Sequence, residues 1–141
     1  MREAAILGVD PGTRLCGFGV IEPGATRTEI RCLESGVIRV DVKAPLEERL
    51  AVIYRELSAV IARIQPGVMA IEQLIFAKNP TSALKLGHAR GVALLAAVHG
   101  GLSIHEYLPN AIKKTVSGHG HASKEQVQQM VKLICGLREL P

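Results

Sequence analysis

"ILGVDPGTRLCGFGVIE", residues 6–22, is the stretch whose reading decides the fold. Ala4 to Val9 is an almost unbroken apolar run, the pattern of a strand covered on both faces. It ends in Asp10, a Pro-Gly-Thr turn follows, and Cys16 to Ile21 is a second apolar run set with Gly17 and Gly19. A lone carboxylate at the end of a buried strand is a puzzle, because an unpaired buried charge is expensive. Two readings stand. Asp before Pro-Gly can cap its own turn, or the carboxylate is there to hold something.

Working outward, Ile30 to Val40 reads as a third strand, set off by the "EPGAT" turn at 22–26. The three make an antiparallel meander. Pro45 opens a helix in which Leu46, Leu50, Ile53, Tyr54, Leu57, Val60, Ile61 and Ile64 fall on one stripe, and Pro66-Gly67 is expected to stop it. Val68 to Ile71 is a short strand running into Glu72. Ser82 to Val98 is a second helix, apolar nearly all round after its first two turns, so it should be covered on more than one side. Either it forms a subunit interface through Leu84, Gly87, Gly91, Leu94 and Leu95, or it is wholly internal. Leu102 to Tyr107 is a further strand, and a short helix is expected from Pro109 to about Val116. Ser123 with Gln126 forms a capping box that opens a last helix to Cys135, stopped by Gly136. The expected fold class is α/β: a mixed five-stranded sheet, a three-strand antiparallel meander plus αβαβ crossovers, flanked by helices.

The bulk properties suit one compact domain. The chain has 141 residues, 48% of them hydrophobic and only 3% aromatic, with no Trp, so its core is built from aliphatic side chains. No signal peptide is visible, and the longest apolar stretch, Gly91 to Val98, is far too short to span a bilayer. Cys16, Cys32 and Cys135 are widely spaced, without a CxxC, and read as reduced thiols of a cytoplasmic protein. The net charge of +4 is unevenly spread. Through Glu72, nine Lys and Arg meet ten Asp and Glu; beyond it, eight meet only Glu106, Glu125 and Glu139. An acidic cluster ahead of a basic remainder suits a polyanionic ligand, although an ordinary solvated surface would carry the same charges.

Asp10 and Glu72 both end strands, where α/β sheets usually carry their chemistry. If the strands are neighbours, the two carboxylates converge, and at 4 Å they repel by about 4 kcal/mol at an effective dielectric of 20. Protonation or a bound cation relieves this. Hard oxygen donors without Cys or His favour Mg²⁺ or Mn²⁺ over zinc, with substrate phosphate completing the shell. That is an arrangement for metal-assisted phosphodiester hydrolysis.

"ILGVDPGTRLCGFGVIE", "AIEQLIFAKNPTSALKLGHARGVALLAAV" and "KKTVSGHGHASKEQVQQMVKLI" together resemble, in order and spacing, the bacterial RuvC Holliday junction resolvases. The resemblance runs over nearly the whole chain. It implies a ribonuclease H-like fold, a homodimer, and paired nicking of four-way DNA junctions that depends on Mg²⁺, with Mn²⁺ as a substitute and two ions per active site. It also implies partnership with the RuvA–RuvB branch-migration complex. By position, Asp10 and Glu72 match two of the family's four acidic metal ligands, and Lys113 and Lys124 match basic residues of the DNA-binding and active-site face. The family's other two acids form a D-x-x-D pair on a further C-terminal helix, whereas this sequence ends at "GLRELP" with no Asp after Asp41. A single ribonuclease H-like nuclease domain over 1–141, without that C-terminal helix, is therefore expected. The expectation is a truncated version of a longer enzyme, and the alternative is a form that binds junctions but cuts poorly.

In the loop after Glu72, Ile75 occupies the position where the family usually offers an aromatic wedge, and Phe76 follows it. Phe76 could press against unstacked bases or simply pack under the loop. Lys78 and Asn79 lie in the loop just past Glu72, either within reach of a phosphate or simply solvated, and Lys113 and Lys114 on the short helix are further DNA-binding candidates. Lys124 sits in the first turn of its helix, locally unfavourable against the macrodipole unless a phosphate binds there. It is counted with Asp10 and Glu72 among the catalytic candidates. Arg90 reads as a surface residue, His88 and His99 as structural, and His119 and His121 as loop decoration. Gly8, Gly17 and Gly19 either admit substrate close to the carboxylates or serve tight packing. "GVDPGT" also looks like the phosphate hairpin of actin-like kinases and ATPases, but those need two such domains and a longer chain.

Overall fold

The computed structural model describes residues 2–26, 28–74, 79–109, 116, 118 and 123–135. β1 (Arg2–Asp10), β2 (Leu15–Pro23) and β3 (Ile30–Arg39) form the expected meander, followed by α1 (Leu46–Ile64), β4 (Pro66–Glu72), α2 (Pro80–His99), β5 (Ser103–Tyr107) and α3 (Lys124–Cys135). The sheet order is β3-β2-β1-β4-β5. β1 and β2 pair antiparallel, as do β2 and β3, whereas β1–β4 and β4–β5 are parallel. Each parallel pair is reached through a helical crossover, as parallel neighbours require.

One face of the sheet carries the core. Leu7, Val9, Val20, Met69 and Ile71 bury against Ile53, Leu57, Val60 and Ile61 of α1 and Ala89, Ala93, Ala96 and Ala97 of α2. Burying a side chain such as Leu57 contributes about 1.5–3 kcal/mol. Alanines on α2 let that helix lie close, and its far end is tied to α1 by the Tyr54 hydroxyl, 2.5 Å from His99 Nδ1. His88 Nδ1 donates to Leu84 O at 2.7 Å, one turn back on the same helix.

Three local expectations change. Pro66 and Gly67 belong to β4, and α1 stops one residue earlier because Gln65 turns left-handed (φ 55°) and its N–H bonds Ile61 O. Proline is tolerated at the first position of a strand, where its missing donor costs least. α2 begins at Pro80 rather than Ser82, since Asn79 caps it and Pro80 takes the first helical position. A wholly internal α2 is excluded within this chain, because Leu84, Leu95 and Val98 are 67%, 48% and 61% exposed. The capping box is present: Ser123 Oγ accepts from Gln126 N–H, and Ser123 N–H donates to Gln126 Oε1. The short helix expected from Pro109 to Val116 falls mostly outside the described residues.

Candidate active site

Alternation along the strands sorts the charges from the core. Leu7 and Val9 on β1, with Met69 and Ile71 on β4, point to the helix side, so Asp10 and Glu72 fall on the opposite face. β1 and β4 pair in parallel register through Val9 and Ile71. Asp10 and Glu72 are the next residue on each strand, level with one another at the C-terminal ends of adjacent central strands. Gly17 flanks Asp10 on β2, and Tyr107 flanks Glu72 on β5.

The puzzle of a buried lone charge dissolves here. Asp10 is exposed and Glu72 half-buried, and among the described residues no charged side chain is buried. Asp10 is the last residue of β1, still paired with Gly17, on the face away from the core. Among the described residues no hydrogen bond runs from the Pro11–Arg14 turn to the Asp10 carboxylate, so the turn-capping reading finds no support. The turn is instead held by its backbone: Val40 N–H donates to Arg14 O, and Arg49 Nη1 to Thr13 O at 3.3 Å. Gly12 is required there, since a Cβ would meet Leu15 O at 2.4 Å. At Gly8, Gly17 and Gly19, by contrast, a Cβ would make only ordinary contacts of 3.7–4.0 Å. Packing within the chain does not demand those three glycines, and together they leave a flat, open surface beside Asp10.

Cys16 lies behind this surface, fully buried. Burial pushes its thiol up to about 11, the Gly12 backbone hydrogen bond partly offsets this, and the nearby Asp10 charge adds to it.

A residue taken for surface in the sequence is built into the site. Arg90 on α2 is only 15% exposed. Its Nε donates to the main-chain carbonyl of Glu72 at 3.1 Å, and its Nη2 to Glu106 Oε1 at 2.5 Å.

Of the basic and polar candidates, Asn79 has its side-chain oxygen committed to α2, accepting from Thr81 N–H at 3.0 Å and Ser82 N–H at 3.4 Å. Only its amide nitrogen remains for a ligand. Lys124 is exposed at the start of α3, a helix that approaches β3, and no ion pair joins it to Asp10 or Glu72 among the described residues. Ile75, Phe76, Lys78, Lys113, Lys114, His119 and His121 lie outside the described residues. On α2, Leu84, Gly91 and Leu95 are exposed, Gly87 is half-buried, and Leu94 packs against the core.

A family model described as "Crossover junction endodeoxyribonuclease RuvC" matches residues 6–141. The RuvC of Heliobacterium modesticaldum is 46% identical over 136 residues, 96% of this chain and 83% of that protein. The RuvC of Syntrophotalea carbinolica is 48% identical over 135 residues, covering 96% and 83%. Among solved structures, Thermus thermophilus RuvC in complex with a Holliday junction substrate superposes with a TM-score of 0.88 at 35% identity, over 99% of this chain and 84% of that one. The yeast mitochondrial Holliday junction resolvase, at 11% identity and a TM-score of 0.66 over 93% and 62% of the two chains, shares the fold alone. With the ribonuclease H-like sheet in place and the match running from β1 to the last residue, this chain belongs to the RuvC family of crossover junction endodeoxyribonucleases.

Proposed function

We propose that this chain resolves four-way DNA junctions by divalent-metal-assisted hydrolysis, with Asp10 and Glu72 holding the ion and two subunits nicking opposite strands symmetrically. The observation that carries the reading is the level placement of the two carboxylates on adjacent parallel strands. Their donors are all hard oxygens, and among the described residues no third His, Cys, Asp or Glu gathers with them. This suits Mg²⁺, which is held by one or two carboxylates and keeps positions for water and substrate phosphate; Mn²⁺ shares the preference. When bound, the ion supplies Lewis-acid charge stabilisation at the scissile phosphate. The chain itself contributes the rest. Asp10 and Glu72 orient the ligand, and the glycine-lined surface admits a backbone phosphate. Lys124 and the basic residues beyond Glu72, with Lys78, Lys113 and Lys114 among them, attract the polyanion, and Phe76 is the wedge against bases.

The stripe of exposed Leu84, Gly91 and Leu95 on α2, with half-buried Gly87 among them, supports a homodimer related by a twofold axis. Residues 1–141 act in it as a single nuclease domain, working in the cytoplasm beside RuvA–RuvB. A second reading, junction binding without cleavage, draws on the same two-carboxylate site, since two donors alone hold an ion weakly.

A synthetic four-way junction incubated with and without Mg²⁺, beside Asp10→Asn, tests both, with binding followed in parallel. Mg²⁺-dependent paired nicks that Asp10→Asn abolishes support the nuclease reading. Nicking that persists in Asp10→Asn removes Asp10 from the chemistry, and selective binding without nicks leaves the second reading.

A further inference from the structure

We infer that Arg90 is a positioning residue, a staple from α2 that fixes the main chain at Glu72 and so aims its carboxylate. The inference rests on the reading of Glu72 as a metal ligand. The peptide group between Glu72 and Gln73 is held at both polar ends. Its carbonyl accepts from Arg90 Nε at 3.1 Å, and its N–H donates to Tyr107 O at 2.8 Å. With that plane fixed, the torsion that sets where the Glu72 side chain leaves the strand is fixed too.

The other arm of the guanidinium explains how a cation can do this without occupying the metal's place. Nη2 binds Glu106, which pairs with Ile71 and therefore faces the helix side, whereas Glu72 pairs with Tyr107 on the opposite face. Arg90 thus grips the backbone from behind, its charge balanced by Glu106, across the ends of both β4 and β5. A lysine could reach one of these partners but lacks the fork that spans both. A charged side chain only 15% exposed, on a helix otherwise packed through alanines, needs such partners to be kept there.

The test compares the wild type with Arg90→Gln, Arg90→Lys and Glu106→Gln. In the metal-free protein, amide hydrogen exchange at Gln73 should accelerate by on the order of tenfold or more in Arg90→Gln, and less in Arg90→Lys and Glu106→Gln, while Met69 and Ile104 stay protected. The Mg²⁺ concentration for half-maximal nicking should rise by about 10–100-fold, as for other residues that orient ligands, with metal-free junction affinity unchanged. Unchanged exchange at Gln73 overturns the proposal. So does uniform acceleration across the core, which would make Arg90 a general stabiliser. Glu72→Gln separates the premise: if that variant nicks normally, the metal reading fails, whatever Arg90 does to the exchange at Gln73.

Discussion

Asp10 and Glu72 stand level on neighbouring parallel strands, one residue past the Val9–Ile71 pair. Strands in a sheet lie about 4.8 Å apart, so the two carboxylates leave the sheet as close neighbours. Solvent at exposed Asp10 softens their repulsion but does not remove it. On the proposal that they hold the ion, each of the two carboxylates should be needed for cutting and dispensable for recognition. Asp10→Asn and Glu72→Gln are each expected to lower nicking by about a hundredfold or more, the scale of losing one electrostatic element of an active site. Gel-shift affinity for the junction should be retained. Loss of binding in parallel would make the residues architectural.

Withdrawing the ion should be visible without any DNA. A ligand that binds only the folded state stabilises it by about 2.7 kcal/mol at a hundred times its Kd. Mg²⁺ should raise the Tm of the wild type, EDTA should reverse the rise, and Asp10→Asn should show neither. An equal Mg²⁺ shift in wild type and variant would place the ion elsewhere.

Asn79 offers a cleaner separation of structure from DNA contact. Its side-chain oxygen caps α2 through Thr81 and Ser82. Asn79→Ala should cost about 1 kcal/mol in urea unfolding, and Asn79→Asp should restore it, since Asp caps equally well and its charge suits a helix N-terminus. If the free amide also contacts phosphate, Asn79→Asp will weaken junction binding while keeping the stability. Wild-type affinity in Asn79→Asp would reduce Asn79 to a cap.

The periodic parts of the fold were legible because burial imposes them. The apolar runs became β1 to β5, the α1 stripe packed on the sheet, and Ser123 with Gln126 formed both bonds of a capping box. The placement of the candidate carboxylates was legible in outline: two charges ending apolar runs, brought level once a crossover sets β4 beside β1. Arg90 was not. Its partner at Glu72 is a main-chain carbonyl, which carries no residue-type signal, and Glu106 is sixteen residues away. The Asn79 cap did leave a trace in "NPTS", Asn before Pro, a helix start two residues ahead of Ser82. Asp10 looked buried because the unbroken apolar run reads as a strand covered on both faces, whereas β1 buries only Ala5, Leu7 and Val9 and Asp10 lies on its other face.

Cys16 predicts an alkaline limit to stability. Burial first of all holds its folded pKa at about 11, against 9.0 for a free thiol. Between those values the unfolded chain has lost a proton that the folded chain keeps, so stability is full below pH 9 and falls as pH rises towards 11. The loss is on the order of 2 kcal/mol. Denaturant unfolding across pH 8–11 should show this slope, and Cys16→Ala should flatten it. Labelled under native conditions and mapped by mass, Cys16 should react well after Cys32, which is only half-buried. Equal rates would contradict the burial.

The α2 stripe gives the last prediction. Leu84 and Leu95 are 67% and 48% exposed, and neither fills the core, while Gly91 between them has nothing within 4 Å of a would-be Cβ. Exposed apolar side chains aligned with small residues make a surface that a second copy can approach closely. Leu84→Glu with Leu95→Glu should therefore leave the monomer's Tm nearly unchanged, because surface substitutions usually move stability by about 0.5 kcal/mol or less. Sedimentation should shift from dimer to monomer, and paired nicking should give way to single nicks or none, because each strand cut would have lost its symmetric partner. A variant that sediments as the wild type does would move the interface off this helix.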